Sequence, residues 1–407
     1  MDVEIRPITT DEFEAYLVAL EVAFSARVEE GDLDRERSVA IPERFLAAWD
    51  GDRIVGGAAS LPKQMTLPGG RIATAAFVTA VGVQPTHRRR GINTALMRRQ
   101  LDDLHARGET FAALWASEGS IYGRFGYGMA SLFAEVKIDA DRARFVRGYR
   151  PEGRVELLVR DEAMPVMEAI YDAVRRTRPG MLDLEGAWFG WRWWQRKSDK
   201  DAMAFYAIHR GERGEADGYA AYVVKHEWPD SMPKLQVEIR ELVATTPQSY
   251  ADLWRFLFDI DLVGSVEGWN RPSDEPLMWL MAEPRQLRMR LGDGLWVRLV
   301  DVPAALVLRG YRAPGRLVLD VQDRFCPWNE GRIELVVAED GSATCGSTGD
   351  RPDVVCTVND LGAVFLGGAT FGQLHRAGQV AEGTDGAIER ADVMFGTWPA
   401  PWCSFIL

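Results

Sequence analysis

The stretch "FVTAVGVQPTHRRRGINTALMRR" limits this chain more than any other. An apolar run with strand character ends at Val83. A short turn follows with three arginines and a glycine, and a helical pattern starts immediately after it. Strand, basic turn and helix in this order turn loop N–H groups and a helix N-terminus toward one spot, a ready anion site. Gly91 lets the backbone approach a ligand closely. Arg88, Arg89 and Arg90 supply charge and fork-shaped donors suited to phosphate oxygens. The stretch therefore asks for a phosphorylated ligand, or else is a solvated basic turn capping a helix. It is not a Walker loop, having no GxxxxGK[ST], and not a dinucleotide fingerprint, having no GxGxxG.

The elements around it repeat. "ITTDEFEAYLVALEVAF" opens with the capping-box spacing Thr9-x-x-Glu12 and then places Phe13, Tyr16, Leu17, Leu20 and Phe24 on one helical face. "RIVGGAASLPKQMTLPGGRIATAAFVTAVGV" reads as three strands with "LPGG" as a turn. Helical "INTALMRRQLDDLHARG", strand "FAALWAS" and strand "ASLFAEVKI" complete a mixed α/β unit. The same order returns with strand "GRVELLVR", a helix that tolerates Pro165 in its first turn, three strands and helix "PQSYADLWRFLFDI". A third α/β segment alternates strands such as "RLVLDVQD" and "RIELVVAED" with helices such as "NDLGAVFLGG". The 407 residues thus divide, by this reading, into domains 1–145, 146–285 and 286–407.

The formal net charge of -12 argues against nonspecific binding to nucleic acid or anionic membranes, and favours a cationic ligand. No apolar run reaches the roughly 18 residues of a membrane span, and "MDVEIRPITTDEFEAY" carries no secretion pattern, so a cytoplasmic location is expected. The four cysteines, Cys326, Cys345, Cys356 and Cys403, form no CxxC pair and read as reduced thiols. The histidines at 87, 105, 209, 226 and 375 lack ligand spacing, so no metal is expected.

A second stretch, "ASEGSIYGRFGYG", follows the next strand. The basic turn resembles the pyrophosphate loop of GNAT-superfamily acetyltransferases, [RQ]-x-x-G-x-[GA], with Arg88-x-x-Gly91-x-Asn93 departing at its last position. Tyr122-Gly-Arg-Phe-Gly126-Tyr127 matches the tyrosine setting such proteins place near the leaving thiol of coenzyme A. "PTHRRRG" and "ASEGSIYGRFGYG" together, on a chain of this length, resemble the Eis family of N-acetyltransferases. The resemblance implies tandem GNAT-like domains with mixed sheets, followed by a sterol-carrier-protein-like α/β domain. It implies acetyl-CoA as co-substrate and an amine as acceptor, of aminoglycoside or lysine type and acetylated at one or several positions. It also implies a homo-oligomer, a hexamer.

Site residues follow from the same matching. Arg88, Arg89, Arg90, Gly91, Ile92, Asn93 and Thr94 are expected at the pyrophosphate. Val81, Gly82 and Val83 offer backbone groups to the pantetheine arm while also serving as core strand. Ser117 and Glu118 line the cofactor, with Glu118 a rival base, and Phe24 walls the amine pocket. The run from Trp188 to Trp194 walls that pocket or packs between domains, and the acidic "RVEEGDLDRE" attracts polycations or is a solvated loop. By resemblance Tyr122 is the general acid and the α-carboxylate of Leu407 the general base. The chain ends "GTWPAPWCSFIL", apolar where termini are usually polar. Packing there would desolvate the carboxylate and raise its basicity; the bland alternative is a last core strand with its carboxylate in water.

The second unit runs from strand "EIRELVATTPQ" into its helix with no arginine-glycine turn, so a single coenzyme site per chain is expected. Two further readings stay open at this stage. One is a lipid or hydrophobic-ligand binding protein with a vestigial GNAT half. The other is an acyltransferase for longer acyl-CoAs.

Overall fold

A computed structural model describes residues 3–184, 186, 188–189, 203–227 and 234–406. The chain forms two units. One takes Met1–Ser131 and Asp293–Pro401; the other takes Leu132–Gly292 together with Trp402–Phe405.

In the first unit a seven-stranded sheet runs in the order Glu4–Pro7, Phe45–Asp50, Arg53–Thr66, Ile72–Val83, Phe111–Trp115, Leu295–Leu299, Gly128–Met129. The long hairpin turns through Pro68–Gly70, so the stretch read as three strands is two. Thr9 and Glu12 form the expected capping box, Glu12 Oε2 accepting from Thr9 N at 2.8 Å, ahead of helix Phe13–Ala23.

All neighbours in this sheet are antiparallel except Ile72–Val83 and Phe111–Trp115. This parallel pair registers only at Ala76↔Ala112 and Phe77↔Ala113. Beyond it, Ala59 faces Thr79 and Gly57 faces Gly82, so Ala58 alone opposes Ala80 and Val81. That is a β-bulge, with Ala80 at φ 53. A bulge bends and twists its strand. The two strands part here, and their C-terminal ends open toward the basic turn.

The second unit repeats the plan. Its sheet runs Arg288–Asp293, Leu132–Asp139, Val263–Pro272, Lys234–Ala244, Ala216–Glu227, Ala204–Arg210, Arg154–Leu158, again with a parallel pair, Lys234–Ala244 beside Val263–Pro272. Helices Arg160–Arg175 and Pro247–Phe258 both pack on it, the second through Trp254, which is fully buried.

The linear division expected at 145/146 and 285/286 is not the one the sheets follow. Strand Leu132–Asp139, read with the first domain, registers with Val263–Pro272 of the second sheet. Strand Leu295–Leu299, read with the third, takes the matching place in the first sheet, beside Phe111–Trp115. The boundaries therefore fall at Ser131/Leu132 and Gly292/Asp293. Alternation identifies a strand and its buried face, but its neighbour is set by pairing with residues far away in sequence.

The C-terminal segment adds a five-stranded sheet to the first unit, ordered Ala343–Ser347, Gly331–Val337, Gly315–Gln322, Val354–Thr357, Ala381–Glu382. Its helix Val358–Phe365 opens with a Thr357/Asp360 capping box and lies directly on the first sheet. The approach is so close that a Cβ on Gly128 would sit 1.8 Å from Asn359 O, and one on Gly362 would sit 2.3 Å from Val297 O. The four cysteines are free thiols. Among the described residues no helix is long and apolar enough to cross a membrane.

Candidate active site

A cavity of about 450 Å³ lies where the first parallel pair opens. The strand end Val81–Val83 forms one wall and Ser117, Glu118, Ile121 and Tyr122 the other. Arg88, Arg89, Gly91, Ile92, Asn93 and Thr94 close its mouth, and Phe24 stands at its edge, half exposed.

The mouth is built to take an anion. Helix Ile92–Ala106 begins at Gly91, which sits in the left-handed region at φ 81 with open space where a Cβ would point. No side chain caps this helix, so its first N–H groups keep their hydrogen-bonding capacity. Arg89 also adopts positive φ, 61. Turn, dipole and guanidinium act in the same sense.

The three arginines do not share one job. The Arg88 guanidinium donates to Val83 O at 3.2 Å and to Ala23 O at 3.1 Å, tying the turn to the strand end and to helix Phe13–Ala23. Arg89 is exposed at the mouth, while Arg90 does not line the cavity. Of the three arginines expected at the pyrophosphate, the cavity wall carries Arg88 and Arg89.

Tyr122 ends the short helix Gly119–Tyr122 and is 6% exposed. Its ring packs edge-on against Tyr127 at 5.9 Å, in a cluster with Leu101, Phe125, Val300 and Cys326. Burial pushes the phenol above its ordinary value, so it stays protonated across neutral pH.

The turn after Tyr122 is held from the C-terminal segment. Asn359 Nδ2 donates to Gly123 O at 2.7 Å and to Tyr127 O at 2.9 Å. Beneath it the fully buried Arg298 donates to Asp323 Oδ2 at 2.6 Å. Its guanidinium fills the place where Gly126, at φ 88, would carry a Cβ only 2.7 Å away. Asp323 is itself fixed by the backbone N–H of Cys326 and the amide of Asn329.

Sequence reasoning missed Ala23, His87, Ile121 and Arg124 in the cavity wall, and Asn359 behind it. His87 is already engaged, by Thr86 Oγ1 at 2.8 Å and Asp50 Oδ2 at 3.1 Å. Nothing local marks Asn359, which meets a partner 236 residues away. Leu407 and Gly190–Trp194 lie outside the described residues. Trp188 is described and packs edge-on against Phe405 at 6.1 Å, within the second unit.

Comparison with known proteins agrees with this architecture. Residues 4–130 and 185–299 each match the family description of an acetyltransferase (GNAT) domain, and residues 302–404 that of a sterol carrier protein domain. An uncharacterized N-acetyltransferase of Streptomyces avermitilis is 40% identical over 406 residues, covering 99% of both chains. Fold and cavity together define an N-acetyltransferase of the GNAT type. The N-acetyltransferase Eis of Mycobacterium tuberculosis is 33% identical over 369 residues, 86% of this chain and 85% of that one. The crystal structure of Eis1 from Mycobacterium abscessus superposes with a TM-score of 0.85 at 33% identity, covering 99% of this chain and all of that one. The chain belongs to the Eis family. An enzyme of this kind over the full chain sets aside the reading of a lipid-binding protein with a vestigial half.

Proposed function

We propose that the chain transfers an acetyl group from acetyl-CoA to primary amines, of aminoglycoside or lysine type, directly and at one cavity. The observation that carries this reading is the meeting of an uncapped helix N-terminus and a buried, protonated Tyr122 on one cavity. The co-substrate supplies an activated acetyl thioester. Gly91–Thr94 N–H groups and Arg89 suit its pyrophosphate, and the bulged strand end Val81–Val83 offers backbone groups to its pantetheine arm. A donor set made of backbone amides and one guanidinium fits a phosphorylated thioester, and needs no metal ligand.

The transfer has a proton to remove and a proton to supply. An amine with a pKa near 10.4 costs roughly 4–5 kcal/mol to hold neutral at pH 7. Tyr122 delivers a proton to the departing sulfur. The α-carboxylate of Leu407 takes the amine's proton, as the family resemblance implies. Glu118, which lines the same cavity, is the rival base. Phe24 gives the amine an apolar edge. One coenzyme site per chain is part of this reading: the second unit's helix follows its strand without an arginine-glycine turn, and Thr246 Oγ1 caps it by accepting from Ser249 N at 3.0 Å. A cytoplasmic homo-oligomer, a hexamer, completes the reading, and sedimentation of the pure protein tests the assembly.

The experiment is product mass spectrometry with free-thiol release, using acetyl-CoA and a panel of aminoglycosides, polyamines and lysine peptides. Acetylated amines are expected. Thiol release no faster than spontaneous hydrolysis with every amine would overturn the proposal.

A further inference from the structure

The first sheet opens at the C-terminal end of its parallel strand pair, and the second sheet has the same pair. Lys234–Ala244 and Val263–Pro272 register from Leu235↔Val263 to Ile239↔Gly268 and no further. On the far side, Gly268 faces Val136 and Arg271 faces Ala134, so one partner residue opposes both Trp269 and Asn270. This is a bulge on the other strand of the parallel pair from the one bulged in the first sheet, with Asn270 at φ 54. Asparagine tolerates that left-handed backbone better than most residues.

Here the chain's own tail is seated. Trp402, Cys403 and Phe405 are all buried and belong to this unit. Trp402 N donates to Pro179 O at 2.9 Å, and its indole Nε1 donates to Asn270 O and Oδ1, each at 3.1 Å. Asn270 Nδ2 donates in return to Cys403 O at 3.0 Å. The Arg271 guanidinium stands 5.7 Å from the Trp402 ring, itself held by Leu242 O at 2.8 Å and Glu275 at 3.0 Å. Gly180 lies flush on the tail, where a Cβ would come within 3.1 Å of Trp402 O. One side-chain amide thus reads both an indole N–H and a main-chain carbonyl, the contacts a peptide site makes.

We propose that the second acetyltransferase-like domain keeps the C-terminal end of its parallel pair as a peptide-binding site. Its ligand is a tryptophan-bearing C-terminal peptide, occupied in cis by Trp402–Phe405, and Asn270 is its reading residue. The seat stands on these contacts alone. Its purpose rests on the proposed role of Leu407, because fixing Phe405 confines the terminal carboxylate to within about 7 Å of it, two residues of extended chain.

The test is thiol alkylation of the full-length chain, mapped by mass spectrometry. Cys403 is buried in the seat, while Cys326 and Cys356 are buried elsewhere and report general unfolding. Asn270→Gly keeps the positive-φ backbone and the carbonyl acceptor but removes both side-chain contacts. Cys403 should then label about tenfold faster or more, the effect of losing a buried hydrogen-bonding group, with Cys326 and Cys356 unchanged. Trp402→Phe, which removes the indole N–H together with part of the ring, should act in the same direction and stands in if the first variant does not fold. Wild-type labelling of Cys403 in these variants, or equal acceleration of all three cysteines, would overturn the seat. Adding two residues after Leu407 separates the two ideas, because Cys403 should stay protected there whatever happens to turnover. Turnover retained with Cys403 protected would sink the role of Leu407 and leave the seat intact.

Discussion

Asn359 and Tyr127 lie 232 residues apart, yet the Asn359 amide donates to Tyr127 O at 2.9 Å while also donating to Gly123 O at 2.7 Å. The sterol-carrier-like segment therefore splints the turn that follows Tyr122. Asn359→Ala removes the side-chain donor from both carbonyls, leaving Gly123 O only the Gly126 N–H, and frees the turn from the C-terminal segment. We expect kcat to fall about 10- to 100-fold, the order of effect of a small misplacement of a reacting group, with KM for acetyl-CoA nearly unchanged. Gly128→Ala is harsher, since its Cβ would strike the Asn359 backbone; a loss of at least about 3 kcal/mol in unfolding free energy is expected. Steady-state kinetics with acetyl-CoA varied, and denaturant titration, check the pair.

Tyr122→Phe removes the phenolic proton and keeps the ring that packs on Tyr127. Turnover should drop by about 10²–10⁴, with acetyl-CoA affinity by calorimetry and the unfolding midpoint close to wild type. Retained turnover would remove Tyr122 from the chemistry.

Appending two residues beyond Leu407 moves the terminal carboxylate without altering the cavity wall. Turnover should almost vanish while acetyl-CoA binding persists. Full activity in that chain, measured by thiol release, would reassign the base to another group, with Glu118 next to be substituted.

Arg89 and Arg90 are neighbours with different surroundings, and only Arg89 lines the cavity. Loss of a charged hydrogen bond is worth about 1.5–3 kcal/mol, so Arg89→Ala should raise KM for acetyl-CoA by about 10- to 100-fold. Arg90→Ala should change it by less than about threefold, on the scale of a surface substitution. Equal effects from the two variants would contradict the geometry of the turn.

His209 gives a pH test of the second unit. Burial lowers its basicity, but the hydrogen bonds with Asp217 at 2.6 Å and with Glu152 O at 2.9 Å, and the charge of Asp252, outweigh burial and raise it above 6.5. A raised folded-state value means its stabilisation is fully present below the unfolded value. It is lost as pH climbs through the folded value. The unfolding midpoint should fall above about pH 6.5, and Asp217→Asn should move that fall to lower pH. Denaturant midpoints from pH 5.5 to 9 decide it; a flat, unchanged profile would exclude His209.

Features written over a few neighbouring residues are legible in the sequence. The strand, basic turn and helix around Gly91, the Thr9/Glu12 cap and the repeated element order follow from side-chain periodicity and turn chemistry. Thirteen expected residues, from Phe24 to Tyr122, do meet at one cavity. Strand exchange, the separate tasks of Arg88, Arg89 and Arg90, and the seat for Trp402 were not legible, since each depends on partners far away in sequence.

The sequence by itself determined the elements, the anion-binding turn and the family. Backbone dihedrals, caps and apolar spacing act over a few residues and are written locally. Only the tertiary structure decided that Leu132–Asp139 and Leu295–Leu299 trade sheets, that Asn359 splints the Tyr122 turn, and that Asn270 holds the tail. Those choices belong to hydrogen-bond pairing and close packing. Both select among many distant partners of similar composition, and only the folded geometry tells them apart.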